Sequence, residues 1–357
     1  MRIKLVLFTI GISLMACNSN STKTTVSIEG NQFKINNELT YKDRVWNGNK
    51  IEGLLFNSRM VQGIFDDSNP KTRNNFKYPD TGVWDPERNT NEFVAAMQSW
   101  RDHGALAFTM NLQGGSPLGY GNHGWINSTF NPDGSLKPEY MARLTKILDK
   151  ADELGMVVIL GYFYFGQDEV LNDETAVLNA TDNITDWLLE KDYRNLLIEV
   201  NNECNVRYDH DILKEDRVHE LITRVRQRSK GKLLVSTSYG GGYVPLSNVV
   251  SVADFILIHG NGIHEPEGIT ELIEKTKNVA GYRNQPILFN EDDHFDFDKE
   301  DYNLKRSVEG YVSWGYFDFR KNGEPFETGF QSVPVDWRIS TDRKKAFFQK
   351  IKEITAY

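Results

Sequence analysis

Two glutamates in this 357-residue chain each close an apolar run: Glu203 ends "LLIEVNNE" (196–203) and Glu291 ends "PILFNE" (286–291). Runs rich in Leu, Ile and Val are what strands covered on both faces look like. Their carboxyl groups therefore arrive where strands end. Two carboxyl groups brought to one pocket are the arrangement for cleaving a glycosidic bond. One gives a proton to the leaving oxygen, and the other attacks the anomeric carbon or activates a water. The protonated partner needs a raised pKa, which burial beside a second carboxylate supplies. Glu199, earlier in the same run, reads as a buried structural carboxylate with a hydrogen-bond partner.

Elements able to hold such a pair recur along the chain. Apolar runs occur at 54–65, 105–111, 156–165, 196–203, 233–238, 254–259, 286–291 and 310–317. Helical spacing occupies 90–103, 138–154, 175–190, 211–228, 269–278 and 342–355. Gly104, Gly155 and Gly231 stand just past three helix ends, where a left-handed cap is needed. The alternation predicts an α/β fold, a (β/α)8 barrel over 42–357, with strands four and seven facing each other across its mouth. A doubly wound open sheet is the rival, but "NSRMVQGIFDD" lacks the Gly-rich phosphate loop such a sheet carries. Ahead of the barrel, "TVSIEGNQFKINNELTY" (25–41) alternates around Glu29-Gly30-Asn31 and reads as a β-hairpin.

"IEVNNECN" resembles the strand-four motif of clan A glycoside hydrolases, and most closely the family 5 form Glu-x-x-Asn-Glu-x-Asn, met here by Glu199, Asn202, Glu203 and Asn205. "QPILFNED" resembles the family's strand-seven motif. The resemblance implies Glu203 as acid/base, Glu291 as nucleophile and Asn202 as the residue holding the sugar 2-hydroxyl. "FILIHGN" resembles the strand-six segment with an active-site histidine, His259, and "GYVSWGYFDF" resembles strand eight with its sugar-stacking tryptophan, Trp314. "FKINNELTY" resembles the hairpin that plugs the bottom of such barrels.

The resemblance implies a retaining hydrolase of a poly- or oligosaccharide that needs no cofactor. The carboxyl groups would then be about 5–5.5 Å apart, against roughly 6.5–9.5 Å for inversion. Tyr239, before "GGG", could hydrogen-bond the nucleophile, while Asn111, Gln113 and Tyr164 either line subsites or brace the scaffold. Asn111 stands where family 5 usually has an arginine supporting the nucleophile, and Arg59 on the first strand could substitute. Strand three ends "YFYFGQ" where histidines are frequent, and Cys204 stands in place of proline. Asn202 and Glu203 can both serve only if strand four kinks, as at a bulge. A non-catalytic carbohydrate-binding barrel and a polysaccharide lyase are the alternatives. The lyase would need a basic cluster that these strand ends do not supply.

The N-terminus carries a different signal. Arg2, Lys4 and the apolar run Leu5 to Ala16 read as a secretory signal over 1–16. "LMAC" resembles a bacterial lipobox, which implies lipid on Cys17, a tether over 17–24 and export to the cell envelope, at a periplasmic or surface face of the outer membrane. Contact with the membrane would be through that lipid only. A plain signal peptide with an incidental cysteine is the alternative. Cys204 then has no partner, so neither a disulfide framework nor a cysteine zinc site is expected. Removing residues 1–16 takes the formal charge from −9 to −11 by deleting Arg2 and Lys4, and an acidic surface disfavours nucleic acid. The acid-rich stretch 290–301 lacks EF-hand spacing and reads as a solvated loop, so no metal is expected, and the chain reads as a monomer. Lipid on Cys17 is checked by metabolic labelling with a fatty-acid analogue: the parent chain takes up the label and Cys17→Ser does not.

Overall fold

The computed structural model describes residues 23–120 and 124–357; the proposed signal, Cys17 and most of the tether lie outside them. Eight strands line the barrel: β1 (Asn57–Arg59), β2 (Ala107–Asn111), β3 (Val157–Tyr164), β4 (Leu196–Asn202), β5 (Leu234–Ser236), β6 (Ile256–His259), β7 (Ile287–Glu291) and β8 (Gly315–Tyr316). The helices are α1 (Pro86–Asp102), α2 (Pro138–Leu154), α3 (Glu174–Glu190), α4 (Val218–Ser229), α5 (Ser247–Val250), α6 (Glu267–Lys277), α7 (Asn303–Glu309) and α8 (Asp342–Thr355). The six predicted helices are present. Two more, α5 and α7, escape a periodicity reading because four and seven residues hold too few turns to show one.

Six strands run parallel in the order β5-β4-β3-β2-β1-β8, and β6 pairs with β7. Two small devices join these pieces into a ring. Ser313, just before β8, bonds Phe289 and Ile287 of β7 at 2.8 and 3.1 Å. At the β5–β6 seam Asp254 gives its backbone N–H to Val235 O, and its carboxylate accepts from Val235 N, both at 2.9 Å. Gly315 is required where β8 meets β1, because a Cβ there would lie 2.3 Å from Asn57 Oδ1. The result is the predicted (β/α)8 barrel. Every residue of β3 and β4 is buried, as expected for strands with helices outside and side chains filling the centre.

Local chemistry sets the helix limits. Asp85 caps α1 by accepting from Glu87 N and Arg88 N, with Pro86 at the first helical position. Gly155 ends α2 in the left-handed region at φ 65°, returning its N–H to Ala151 and Asp152.

The N-terminal hairpin pairs Val26–Glu29 with Gln32–Ile35 around a two-residue turn. It lies against the entry ends of the strands. Val26 N bonds Arg194 O before β4, Phe33 N bonds Gly53 O before β1, and the Phe33 ring meets Phe255 edge-on before β6. A second short pair, Val45–Trp46 with Asn49–Lys50, docks on the end of α8. There Arg44 donates to the Ile354 and Glu353 carbonyls, which the helix leaves without partners. Phe33 is fully buried, so the hairpin is part of the barrel core. Phe33→Ala is expected to cost about 3–5 kcal/mol in a denaturant titration, the range for emptying an aromatic core site.

Candidate active site

The strand exits at the mouth depart from regular alternation where the two glutamates sit. Glu199 and Asn202 are three residues apart on β4 and should face opposite ways. Both nevertheless reach groups from across the barrel: Glu199 Oε1 accepts from Asn290 Nδ2 of β7 at 3.2 Å, and Asn202 Oδ1 accepts from Arg59 Nη1 of β1 at 3.2 Å. Glu203 follows in the left-handed region at φ 55°, uncommon for a side chain with a Cβ, with its N–H held by Ser238 Oγ at 2.9 Å. This is the kink that strand four requires. On β7 the register slips, Ile258 pairing with Phe289 but His259 with Glu291, so Asn290 is one residue extra. The slip lets Asn290 and Glu291, adjacent in sequence, both face inward.

Glu291 is buried and held from two sides. Asn261 Nδ2 donates to Oε1 at 2.6 Å, and Arg59 Nε stands 3.0 Å from Oε2. Oε2 accepts no hydrogen bond, so it keeps a lone pair to offer. Burial pushes the Glu291 carboxyl up and the Glu203 charge adds to it; Arg59, His259 and Asn261 pull back, and the net direction is upward. Arg59 is itself only 2 % exposed. Burial works against its charge, but Glu291 and the neighbouring acids outweigh that and hold the guanidinium charged.

Glu203 is the more open carboxylate, with 15 % of its side chain exposed. His259 Nδ1 lies 3.0 Å from its Oε1 and 3.8 Å from Glu291 Oε2. Burial lowers the His259 pKa, but the two glutamates more than reverse that, leaving it raised. One oxygen of each glutamate and a ring nitrogen of His259 all fall within 4.8 Å of one another. Three such groups could hold an ion, but Arg59 already brings a positive charge to Glu291.

The cleft above them has a volume of about 360 Å³. Arg59, Asn202, Glu203 and Glu291 form its floor, and Tyr120, Trp125, Tyr164, Phe165 and Phe317 contribute apolar walls, with Arg207 and Glu169 also lining it. Tyr120 and Trp125 come from the Gly-rich loop after β2, of which residues 121–123 lie outside the described set.

No family model and no curated protein matches this chain. Solved structures do. A glycoside hydrolase family 5 protein from Bacteroides vulgatus is 16 % identical with a TM-score of 0.54, over 93 % of this chain and 68 % of that one. A family 5 mannosidase from Rhizomucor miehei is 12 % identical with a TM-score of 0.55, over 94 % and 98 %. A broad-specificity endoglucanase from Clostridium longisporum is 11 % identical with a TM-score of 0.52, over 84 % and 96 %. Likeness at these identities establishes the shared barrel fold.

Of the residues singled out in the sequence, Glu203, Glu291, Asn202, His259 and Tyr164 meet at the mouth, with Tyr164 Oη 3.0 Å from Ser116 Oγ. Four others lie elsewhere. Trp314 is fully buried outside the strand, donating from Nε1 to Asp292 Oδ2 at 2.9 Å and packing on Phe297 and Phe347. It shares a face of β8 with Tyr316, which stacks on Phe347 of α8, so Phe317 on the opposite face is the aromatic that reaches the cleft. Tyr239 faces the buried Cys204 thiol behind Glu203 and does not reach Glu291. Gln113 is fully buried and braces the scaffold, donating to Ser128 Oγ and Gln167 O, each at 3.0 Å, and accepting from Tyr164 N. Asn111 is a floor residue below the cleft, its Oδ1 against Gly161.

Two residues that touch Glu291 carry weak sequence signals. Arg59 is legible as the possible substitute for the arginine that family 5 usually places beside the nucleophile, and it stands 3.0 Å from Glu291 Oε2. Asn261 sits in "HGNGIH", where nothing marks it. Because an amide N–H favours the ionised carboxylate, Asn261→Ala is expected to move the Glu291 pKa further up, followed by carbon-13 NMR titration of labelled glutamate. A fall, or no movement, would remove Asn261 from the support of Glu291.

Proposed function

We propose that the protein is a retaining glycoside hydrolase acting on a poly- or oligosaccharide and exported as an envelope lipoprotein through Cys17. The observation that carries this reading is the approach of the Glu203 and Glu291 oxygens, within 4.8 Å across one cleft. That closeness suits the retaining arrangement, with carboxyl groups about 5–5.5 Å apart, better than the roughly 6.5–9.5 Å of an inverting pair.

The surroundings of each carboxyl group support its role. Glu291 is the nucleophile: Arg59 and Asn261 favour its anion, and Oε2 is free of hydrogen bonds and can attack the anomeric carbon. Glu203 is the acid and then the base. It is open to the cleft and lies 3.0 Å from His259 Nδ1, a position from which it can protonate the leaving oxygen and later take a proton from water. Asn202 gives its carbonyl to Arg59, which leaves its amide N–H groups for a sugar hydroxyl. The aromatic walls offer flat apolar surface to the C–H faces of sugar rings. The structural neighbours include a family 5 mannosidase and an endoglucanase, which agrees with this chemistry.

Glu291 must be ionised to attack, and its pKa is raised. Activity is therefore expected to fall away on the acid side at a pH above the ordinary glutamate value of 4.5, read from the acid limb of kcat/KM. Glu203→Gln should lower kcat on unactivated substrates by roughly 10²–10⁴-fold, the span of general acid catalysis. Azide with a Glu291→Gly variant should give a glycosyl azide of inverted configuration; with Glu203→Ala it should give one of retained configuration. A first product of inverted anomeric configuration from the parent enzyme would exclude double displacement.

A further inference from the structure

Beside the cleft, two histidines from neighbouring loops face each other. His264, exposed in the loop after β6, places Nδ1 3.4 Å from Nε2 of His294 in the loop after β7. Their rings stand at 72°, with centroids 5.5 Å apart. A separation of 3.4 Å is longer than the roughly 2.7–3.2 Å of N–H hydrogen bonds. It is the distance between two ligand atoms on one tetrahedral ion, since bonds of about 2.0–2.1 Å at the tetrahedral angle set their ends about 3.3–3.4 Å apart.

His294 is also held as a ligand would be. Its Nδ1 lies 2.7 Å from Asp292 Oδ1. Asp292 is fully buried and fixed in turn by Trp314 Nε1 at 2.9 Å and Asn303 Nδ2 at 3.0 Å. With Nδ1 turned to that carboxylate, Nε2 is the nitrogen left to face His264, the outer-shell arrangement that orients metal-bound histidines. The solvated loop expected over 290–301 thus begins with an anchored imidazole. Asp292 and Asp293 both lie on its Nδ1 side, away from the face shared with His264.

We propose that His264 Nδ1 and His294 Nε2 form a binding site for a late first-row divalent cation such as Zn²⁺, with water completing its coordination. Imidazole donors select zinc, copper or nickel over magnesium and calcium. The ion would clasp the loop that carries Asn261 to the loop that follows Glu291, stiffening one wall of the cleft. Binding to the folded chain would also raise its melting temperature by mass action.

The test uses the purified chain, stripped with EDTA and titrated with ZnCl₂ by calorimetry and by thermal unfolding. One saturable site per chain is expected, with a rise in Tm that MgCl₂ does not reproduce. His264→Ala is a surface change outside the catalytic groups, and it should weaken zinc binding at least about tenfold, as should His294→Ala. Asp292→Asn should weaken it by roughly 10–100-fold through loss of the orienting carboxylate. Three outcomes would overturn the site. One is no saturable binding up to about 1 mM zinc, which is a binding free energy weaker than about −4 kcal/mol. Another is unchanged affinity in His264→Ala. The third is affinity lost in Glu291→Gln but not in His264→Ala, which would put the ion on the Glu203–His259–Glu291 trio.

Discussion

The site is organised around one buried ion pair, Arg59 with Glu291, 3.0 Å apart and each side chain at most 5 % exposed. A charge taken out of water costs several kcal/mol even after relaxation, so neither group is tolerable there alone. Each therefore constrains what surrounds it. Arg59 also donates from Nη1 to Asn202, which ties the exit of β4 to β1 across the barrel. Glu291 takes the Asn261 amide, which ties the β6 loop to β7. Four strand exits are thus registered against one another through a single guanidinium and its carboxylate. Replacing the pair with well-packed apolar groups could leave the barrel as stable or more so. Its presence is better explained by the anion it maintains at the cleft floor.

Bringing two carboxylates to one point also demands departures from strand geometry. Regular alternation would send Asn202 outward if Glu199 faces in, and would do the same to Asn290 if Glu291 faces in. The chain resolves both conflicts locally, by the left-handed residue at Glu203 and the register slip at Asn290. Neither is relieved by glycine. A Glu at φ 55° carries strain of order 1–3 kcal/mol that the surrounding ladder must hold. Ser238 does part of that work by accepting the Glu203 N–H. Strain and bulges concentrated at two strand exits, on an otherwise regular barrel, are what a site needing inward convergence requires.

These departures also explain how much could be read from residues alone. The strands, the hairpin and six of the helices follow from periodicity, because burial on both faces or on one helix face leaves a mark in composition. The glutamates were legible because they end apolar runs. The face that a strand presents was less so. "SWGYF" has large aromatics on both faces of β8, so nothing in it says that Trp314 packs outward and Phe317 inward. Tyr239 reads as a cleft residue by its place beside glycines, but packs against Cys204. Asn261 and Tyr120 come from irregular loops, where periodicity is silent and only the folded chain brings them near Glu291; Asn261 donates to Tyr120 Oη at 2.9 Å as well as to the carboxylate.

The third acid on the floor, Glu199, bears on the charge of the whole site. Glu199, Glu203 and Glu291 gather around only two cations, Arg59 and His259, and an unbalanced charge in so buried a place is costly. Glu199 is the deepest, with nothing cationic bonded to it, and burial drives its pKa upward. An upward shift there lessens the negative charge that Arg59 and His259 must offset. Asn111 Oδ1 and Glu199 Oε2 both lie beside Gly161, where a Cβ would stand 2.3 Å from the amide oxygen, so the glycine makes the room they share. Glu199, four residues before Glu203, therefore acts as a strut: it accepts from Asn290 at 3.2 Å and links β4 to β7 across the barrel.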